Sequence, residues 1–472
     1  MRNNKNNNAI RTAAIETLES RQMLSGTPLT ITETTVYTGT QLQITGGNVA
    51  NKITLTQTTA GLVIGNTGGW SETVTGTFNS ILIRTGNGND SVIENSSVHT
   101  NTTIVGGVGN DTISDGSGND EIYAGTGTNV ITAGSGTDTI VTLGSTADSV
   151  YGGTGNDIFW MDNSAAEKVF NVRSNELTYG AVHRVGSYYG GGSVTGVTTT
   201  TSAKGARKAG RKNAKAVAAV APTIAEPATT VSGLTYVNFS NHPLFASNGP
   251  TQDDINQGYV GDCYYLSTLA SIARVDPMRI ESSVVQLADG TYLAQIVEGG
   301  QTDFVHVDGS LPTWSWGAPT YANFGEQGSM WVAIMEKAFA VARTGADSYA
   351  SLNSGWMTES FATFGLASTG FYSFANAGQM MTTIESQLAA DKAVTAGVGT
   401  PVTGAALIGD HAYEVVGTVA APGSTGLDLV VRNPWGVAGV TNSLNTNANN
   451  PYIILTPAQA FGSFEGVVSA VA

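Results

Sequence analysis

Cysteine occurs once in 472 residues, at position 263, so this chain can form no internal disulfide. Any life in an oxidising compartment would have to rest on packing or bound ions instead of cross-links. Charge is sparse as well: Asp, Glu, Lys and Arg make up 12% of the chain, with 21 basic against 36 acidic residues and a net charge of -15. That balance excludes nucleic acid as the expected partner, because phosphate contacts need clustered Lys and Arg. An acidic surplus suits solubility or calcium. Long apolar runs are missing too; none reaches the roughly 18 residues of a membrane span, so no membrane-spanning helix is expected. The opening stretch MRNNKNNNAIRTAAIETLESRQMLSG lacks the apolar core of about 7–15 residues that a secretory signal needs. Glycine, by contrast, is abundant at 59 residues and unevenly spread. This make-up points to two or three domains, one rich in Gly, Asn and Thr and one ordinary globular unit.

From about Leu29 to Arg84 the chain runs in short pieces such as QLQIT, KITLTQ and SILIRTG, set off by Gly and Asn. Alternation with a period of two between turn residues predicts β-strands. A regular repeat follows. GGVGNDTIS, DGSGNDEIY, AGTGTNVIT and AGSGTDTIV carry Asp111, Asp120, Asn129 and Asp138 at their sixth positions, nine residues apart each time. Asp148 and Asp157 extend the series after one spacing of ten and one of nine, and an isolated GNGND places Asp90 upstream.

A nine-residue period has a physical basis: a glycine-rich loop that turns tightly, then a short strand whose central apolar residue points inward. The inward set is Ile113, Ile122, Ile131, Ile140, Val150 and Phe159. Stacked turns would bring one carboxylate per turn into line about 5 Å from the next, where like charges repel unless a cation lies between them. The pattern, from about Gly86 to Trp160, resembles the repeats-in-toxin nonapeptide, which implies a parallel β-roll (β-solenoid) binding calcium through Asp111, Asp120, Asp138, Asp148 and Asp157. Asn129 weakens one position of that set. A calcium-free spacer with the same fold is the competing reading.

Between about Gly190 and Val231 Thr, Ala, Gly and Pro dominate, and Lys204, Arg207, Lys208, Arg211, Lys212 and Lys215 form a local basic run. This reads as a linker. Its basic run is a solvated tether, a contact for the acidic repeats, or a cleavable site; the residues leave all three open. The expected division is therefore 1–26 as an N-terminal segment, 27–165 as the β-rich region, 166–230 as connecting segment and linker, and 231–472 as a globular domain large enough for a full core.

Within that last domain QGYVGDCYYLSTLASIA (Gln257 to Ala273) sets Leu266, Leu269, Ala270 and Ala273 on one helical face, with Cys263 at the helix start. The positive end of a helix favours thiolate over thiol, so the position suits a nucleophile. A lone cysteine is nevertheless commonly a small core residue. Among five histidines, His411 in GDHAYEVVGTV begins a strand-like run, and LDLVVRNPWG follows after a turn-rich stretch. Read as a hairpin, these bring Asn433 beside His411, where an Asn carbonyl can fix the imidazole tautomer. A satisfied strand histidine and an ordinary Asn-Pro turn are the bland alternatives.

Together, QGYVGDCYYLSTLASIA, GDHAYEVVG and VVRNPWG resemble the cysteine, histidine and asparagine segments of the calpain-family cysteine peptidases. VHVDGSLPT (Val305 to Thr313) and MWVAIMEKAFAVARTGADSYASLNSGW (Met330 to Trp356) resemble the pieces that connect them. The resemblance implies a multidomain chain ending in an α+β papain-like fold, in which Cys263 is the nucleophile, His411 the base and Asn433 its orienter. It further implies that Gln257 donates to an oxyanion hole and that Trp435 shields the His–Asn pair. Tyr264 departs from the family's usual tryptophan. The implied activity is a calcium-dependent or calcium-modulated cysteine endopeptidase acting on protein or peptide substrates, with calcium expected in the roll and its ligands in the catalytic core left unassigned. No EF-hand loop pattern occurs. LESRQMLSG (Leu18 to Gly26) is similar to a short motif near the N-termini of planctomycete exported proteins, which implies an extracellular or cell-surface setting. The alternative is a surface adhesion protein whose peptidase-like domain is inactive. No feature specifies an oligomeric state.

Overall fold

The computed structural model describes residues 29–191 and 226–470, apart from 38, 67, 68, 146 and 424, together with residues 194, 198, 199 and 224. The export-type motif at 18–26 and the basic run Lys204 to Lys215 lie outside the described residues. Among the described residues no helix is long and apolar enough to cross a membrane.

The N-terminal part is a β-solenoid made of two eight-stranded sheets. It begins with antiparallel pieces: Thr30–Val36 pairs with Gly39–Thr45 in one sheet, and Lys52–Thr58, Gly61–Asn66 and Ser71–Val74 pair in the other. From there the pairing is parallel, and the register joins equivalent repeat positions: Ile122 sits between Ile104 and Ile140, and Ile131 between Ile113 and Val150. These isoleucines and valines are all buried, with Phe159, in one core between the sheets. The expected inward set is therefore the observed one.

The coil itself differs from a stack of nine-residue turns. One nonapeptide makes half a coil and its strand joins one sheet; the next joins the opposite sheet. Spatial neighbours are thus 18 residues apart, as Asp111 and Asn129 are, or 19 where the extra residue intervenes, as for Asn129 and Asp148. The glycines are dictated by this stacking. At Gly155, with φ 136°, an added Cβ would fall 1.4 Å from the Gly136 carbonyl oxygen. Only glycine fits such an approach in that conformation. Residues expected to be connecting segment extend the solenoid: Lys168–Phe170 and Val182–Val185 add the last rung of each sheet.

The C-terminal part has two halves. One packs the helices Cys263–Val275, Pro277–Ser283, Trp331–Ala342 and Met357–Thr363 against a three-stranded antiparallel sheet, Val284–Gln286, Tyr292–Glu298 and Gln301–Val307. The other is a six-stranded antiparallel sheet in which Val394–Val398, His411–Ala420 and Leu427–Arg432 are central, with Ala377–Leu388 and Pro457–Ser463 packed on it. Cys263–Val275 is buried along nearly its whole length because it packs on the helices of its own half and on strand His411–Ala420. Polar ties join the halves: Arg274 Nε lies 3.0 Å from Glu414, and Arg432 donates to the Ile255 carbonyl at 2.9 Å.

Solenoid and helical half share a continuous apolar cluster. Tyr123, Val141, Trp160 and Val185 pack with Val285, Leu287, Leu293 and Phe304. His183 stacks on Trp160 with ring centroids 4.1 Å apart and bonds Gln295 at 2.8 Å. The chain leaving the solenoid then pairs with the three-stranded sheet: Tyr189 donates to Phe304, and His306 donates back to Tyr189.

Candidate active site and carboxylate rows

Cys263 is the first residue of its helix and lines a cleft of about 620 Å³ between the two halves, together with Gln257, Trp356, His411 and Trp435. The hairpin forms as expected and sets Asn433 beside His411. His411 Nε2 lies 2.9 Å from Asn433 Oδ1. The amide orientation follows from its other bonds, since Oδ1 also accepts the Trp435 N–H at 3.1 Å while Nδ2 donates to the Ala438 carbonyl. Nε2 therefore donates, which leaves Nδ1 unprotonated and able to act as a base. Trp435 covers this pair, its ring centroid 4.9 Å from that of His411. Gln257 spends one amide hydrogen on the Val260 carbonyl at 2.7 Å, while its backbone N–H reaches Pro434 of the opposite half.

Electrostatics at the site depart from the expectation of a low thiol pKa. Burial pushes the Cys263 thiol up to about 11, with the Asp262 carboxylate adding to this, and outweighs the Ala412 N–H that favours the thiolate. Burial also pushes His411 down to about 4 despite its bond to Asn433. A desolvated helix start thus holds a neutral thiol, because removing water costs the charged form more than the helix end returns. No hydrogen bond joins Cys263 and His411 among the described residues.

Two residues beneath the thiol escaped the sequence reading. Asp262 and Glu336 are both buried. Burial and the neighbouring Asp262 carboxylate push Glu336 well above the carboxylate range, so it keeps its proton, and burial pushes Asp262 itself up to about 7. The available signal was the pair Glu336–Lys337 inside an otherwise apolar helix. Lys337 is likewise fully buried, held by Asp308 at 2.7 Å and Glu226 at 2.6 Å.

In the solenoid the predicted acids fall into two rows, not one. Asp111 and Asp148 flank Asn129 in the first; Asp120, Asp138 and Asp157 form the second. Each side chain accepts the backbone N–H of its counterpart one coil earlier: Asp138 Oδ1 takes that of Asp120 at 2.9 Å, and Asn129 Oδ1 that of Asp111 at 2.8 Å. Glu167 and Glu176, outside the repeats, end the rows by bonding the Asp148 and Asp157 N–H groups. Asp90, Asp111 and Asp138 each bury their second oxygen without a hydrogen-bond partner. Burial raises Asp111 and Asp120 to about 6, Asp157 to about 7 and Asp138 to about 8, and Asp148 in the same direction. Such orphaned oxygens in low dielectric suit a hard cation. Among the described residues no three acidic, histidine or cysteine side chains converge tightly enough to hold a metal by themselves, so loop carbonyls would have to complete any site.

Comparison with known proteins fits this geometry. Residues 227–449 match the calpain family of cysteine proteases, and residues 105–140 and 142–160 match the RTX calcium-binding nonapeptide repeat. The calpain-2 catalytic subunit of Bos taurus is 31% identical over 228 residues, 44% of this chain and 32% of that protein. That of Gallus gallus is 33% identical over 226 residues, again 44% of this chain and 31% of that protein. The calpain-type cysteine protease ADL1 of Oryza sativa subsp. japonica is 33% identical over 107 residues, 22% of this chain and 5% of its own length. The chain thus spans about a third of the length of the calpain-2 subunits it matches.

Proposed function

The chain carries a calpain-family cysteine protease domain behind RTX repeats, and from that premise we propose that it is an exported cysteine endopeptidase using Cys263, His411 and Asn433. The observation that carries this reading is the orienting of His411 by Asn433 and Trp435 in the same cleft that Cys263 lines from a helix start. With a neutral thiol and a neutral imidazole, His411 acts as general base at the moment of attack. Its Nδ1 takes the thiol proton as Sγ bonds to the peptide carbonyl carbon. The resulting oxyanion accepts from the Cys263 N–H and from the side-chain amide of Gln257. The carbon–nitrogen bond then breaks as the imidazolium returns the proton to the departing amine. Water, deprotonated by His411, attacks the thioester and releases the acid and the thiol.

Calcium, when bound along the rows by Asp111, Asp120, Asp138, Asp148 and Asp157 with loop carbonyls, supplies positive charge that lets those carboxylates ionise. The solenoid's own residues then keep the rungs stacked and support the protease half through Trp160 and His183. Casein hydrolysis by the full chain, with calcium and with chelator, tests the reading. Turnover that vanishes with Cys263→Ala and is weakened by chelator supports it. A folded, calcium-responsive chain without turnover leaves the surface-adhesion reading.

A further inference from the structure

Two acids at one end of the cleft have no part in the chemistry above. Glu465 and Asp410 both line it, and no Lys or Arg does. Both neighbour Gly399, Asp410 through its backbone and Glu465 through its side chain. Asp410 donates its N–H to the Gly399 carbonyl at 3.0 Å and takes a left-handed conformation, φ 51°, directly before His411. Glu465 lies so close to the same glycine that a Cβ on Gly399 would fall 2.0 Å from its Oε1. Its direction comes from a break in the sheet. Gly397 pairs with Gly466 but Val398 with Phe464, so Glu465 is the extra residue of a β-bulge, the device by which a strand re-aims a side chain. Among the described residues no hydrogen bond or ion pair holds the Glu465 carboxylate. The adjoining wall is apolar: Trp356, Met357, Val398 and Ile408.

An apolar wall beside the unpaired Glu465 carboxylate, in a cleft also lined by Asp410, is the complement of a side chain with a hydrocarbon stem and a cationic head. We propose that Glu465, with Asp410, makes this cleft selective for Lys or Arg beside the scissile bond, and that the chain's own basic run, Lys204 to Lys215, is such a substrate. The inference rests on the peptidase reading and adds its substrate class. Charge complementarity carries the second half: six of the 21 basic residues, Lys204, Arg207, Lys208, Arg211, Lys212 and Lys215, fall in this one run, separated mainly by Gly and Ala. Small neighbours let an extended backbone enter a cleft without obstruction.

The test uses the full chain with calcium and fluorogenic peptides in which Arg and Gln alternate at each position flanking the cleaved bond. At one position at least, the kcat/KM ratio of Arg to Gln should be about tenfold or more, as expected for a charge-assisted hydrogen bond. That ratio should fall severalfold in Glu465→Gln and invert toward Glu in Glu465→Lys. Mass spectrometry of the incubated chain should find its first Cys263-dependent cuts within 204–216, absent in Cys263→Ala and slower in Glu465→Gln. A wild-type enzyme that cleaves the peptides with no preference for Arg, or with one that Glu465→Gln leaves intact, overturns the selectivity. First cuts elsewhere overturn the assignment of the run. No cleavage of any peptide by a folded, calcium-supplied chain removes the peptidase reading itself, and this inference with it.

Discussion

Asp138→Asn replaces a fully buried carboxyl by the amide that the solenoid already uses one half-coil away. Asn129 occupies the equivalent place in the other row, and its Oδ1 accepts the Asp111 N–H at 2.8 Å just as Asp138 Oδ1 accepts the Asp120 N–H at 2.9 Å. The ladder bond therefore survives the change, and only the ionisable oxygen is lost. Burial raises Asp138 from 3.8 to about 8, so the folded chain holds a proton that the unfolded chain gives up. A carboxyl of this kind contributes its full stability below its unfolded value, and the contribution is lost as the pH rises through the folded one. Metal-free protein should thus weaken between about pH 4 and pH 8. Four pKa units set a ceiling of about 6 kcal/mol. Local opening to water and relaxation of the row reduce this to roughly 1–3 kcal/mol, or about 3–10 °C in the melting of a unit of this size. In chelator at pH 8 the variant should melt higher than wild type by that amount, while at pH 4 the two should coincide. In saturating calcium the order should reverse, because a ligand for the folded state has been removed. Circular dichroism melts at both pH values, with chelator and with calcium, measure all of this. A variant that melts lower than wild type in chelator at pH 8, or wild-type melts that ignore pH, would refute the reasoning.

Trp160 is fully buried where solenoid and protease meet, stacked on His183 and edge-on to Phe304 at 5.8 Å. Trp160→Ala should cost about 3–5 kcal/mol and lower the temperature at which peptidase activity is lost along with that of the solenoid, read by activity after graded heating; loss confined to the solenoid would mean the shared cluster is inert. Glu336→Gln keeps an acceptor for the Ala322 N–H and should change stability by less than about 1 kcal/mol, whereas Glu336→Ala leaves that buried N–H unpaired and a cavity in the helix packing, and should cost roughly 2–4 kcal/mol. Urea unfolding of both variants checks this, and equal losses would contradict the role given to that acceptor.

What could be read from the sequence was local and periodic. Ile113, Ile122, Ile131, Ile140, Val150 and Phe159 announce their burial because each sits at a fixed offset from a turn. Asn433 beside His411 follows from two strand-like runs and a turn between them. A nine-residue period, however, is compatible with one full turn or with half a coil, and only pairing partners decide; hence one expected row of acids is two. The last rungs at Lys168–Phe170 and Val182–Val185 carry no repeat signature and read as connector. Asp262 and Glu336 lie 74 residues apart in sequence and meet only through packing. The thiol pKa failed for the same reason, since desolvation of Cys263 is set by everything around it and the helix end only by its neighbours in sequence.

The central claim is that this cleft cleaves peptide bonds through Cys263. Hydrolysis of casein by the full chain in calcium should be measured for wild type, Cys263→Ala, His411→Ala and Asn433→Ala, with a melt of each to show that it folds. The account predicts turnover by wild type, none by Cys263→Ala or His411→Ala, and a reduced remainder in Asn433→Ala, whose imidazole still samples the right tautomer. Turnover that persists at the wild-type rate in a folded Cys263→Ala variant would contradict it.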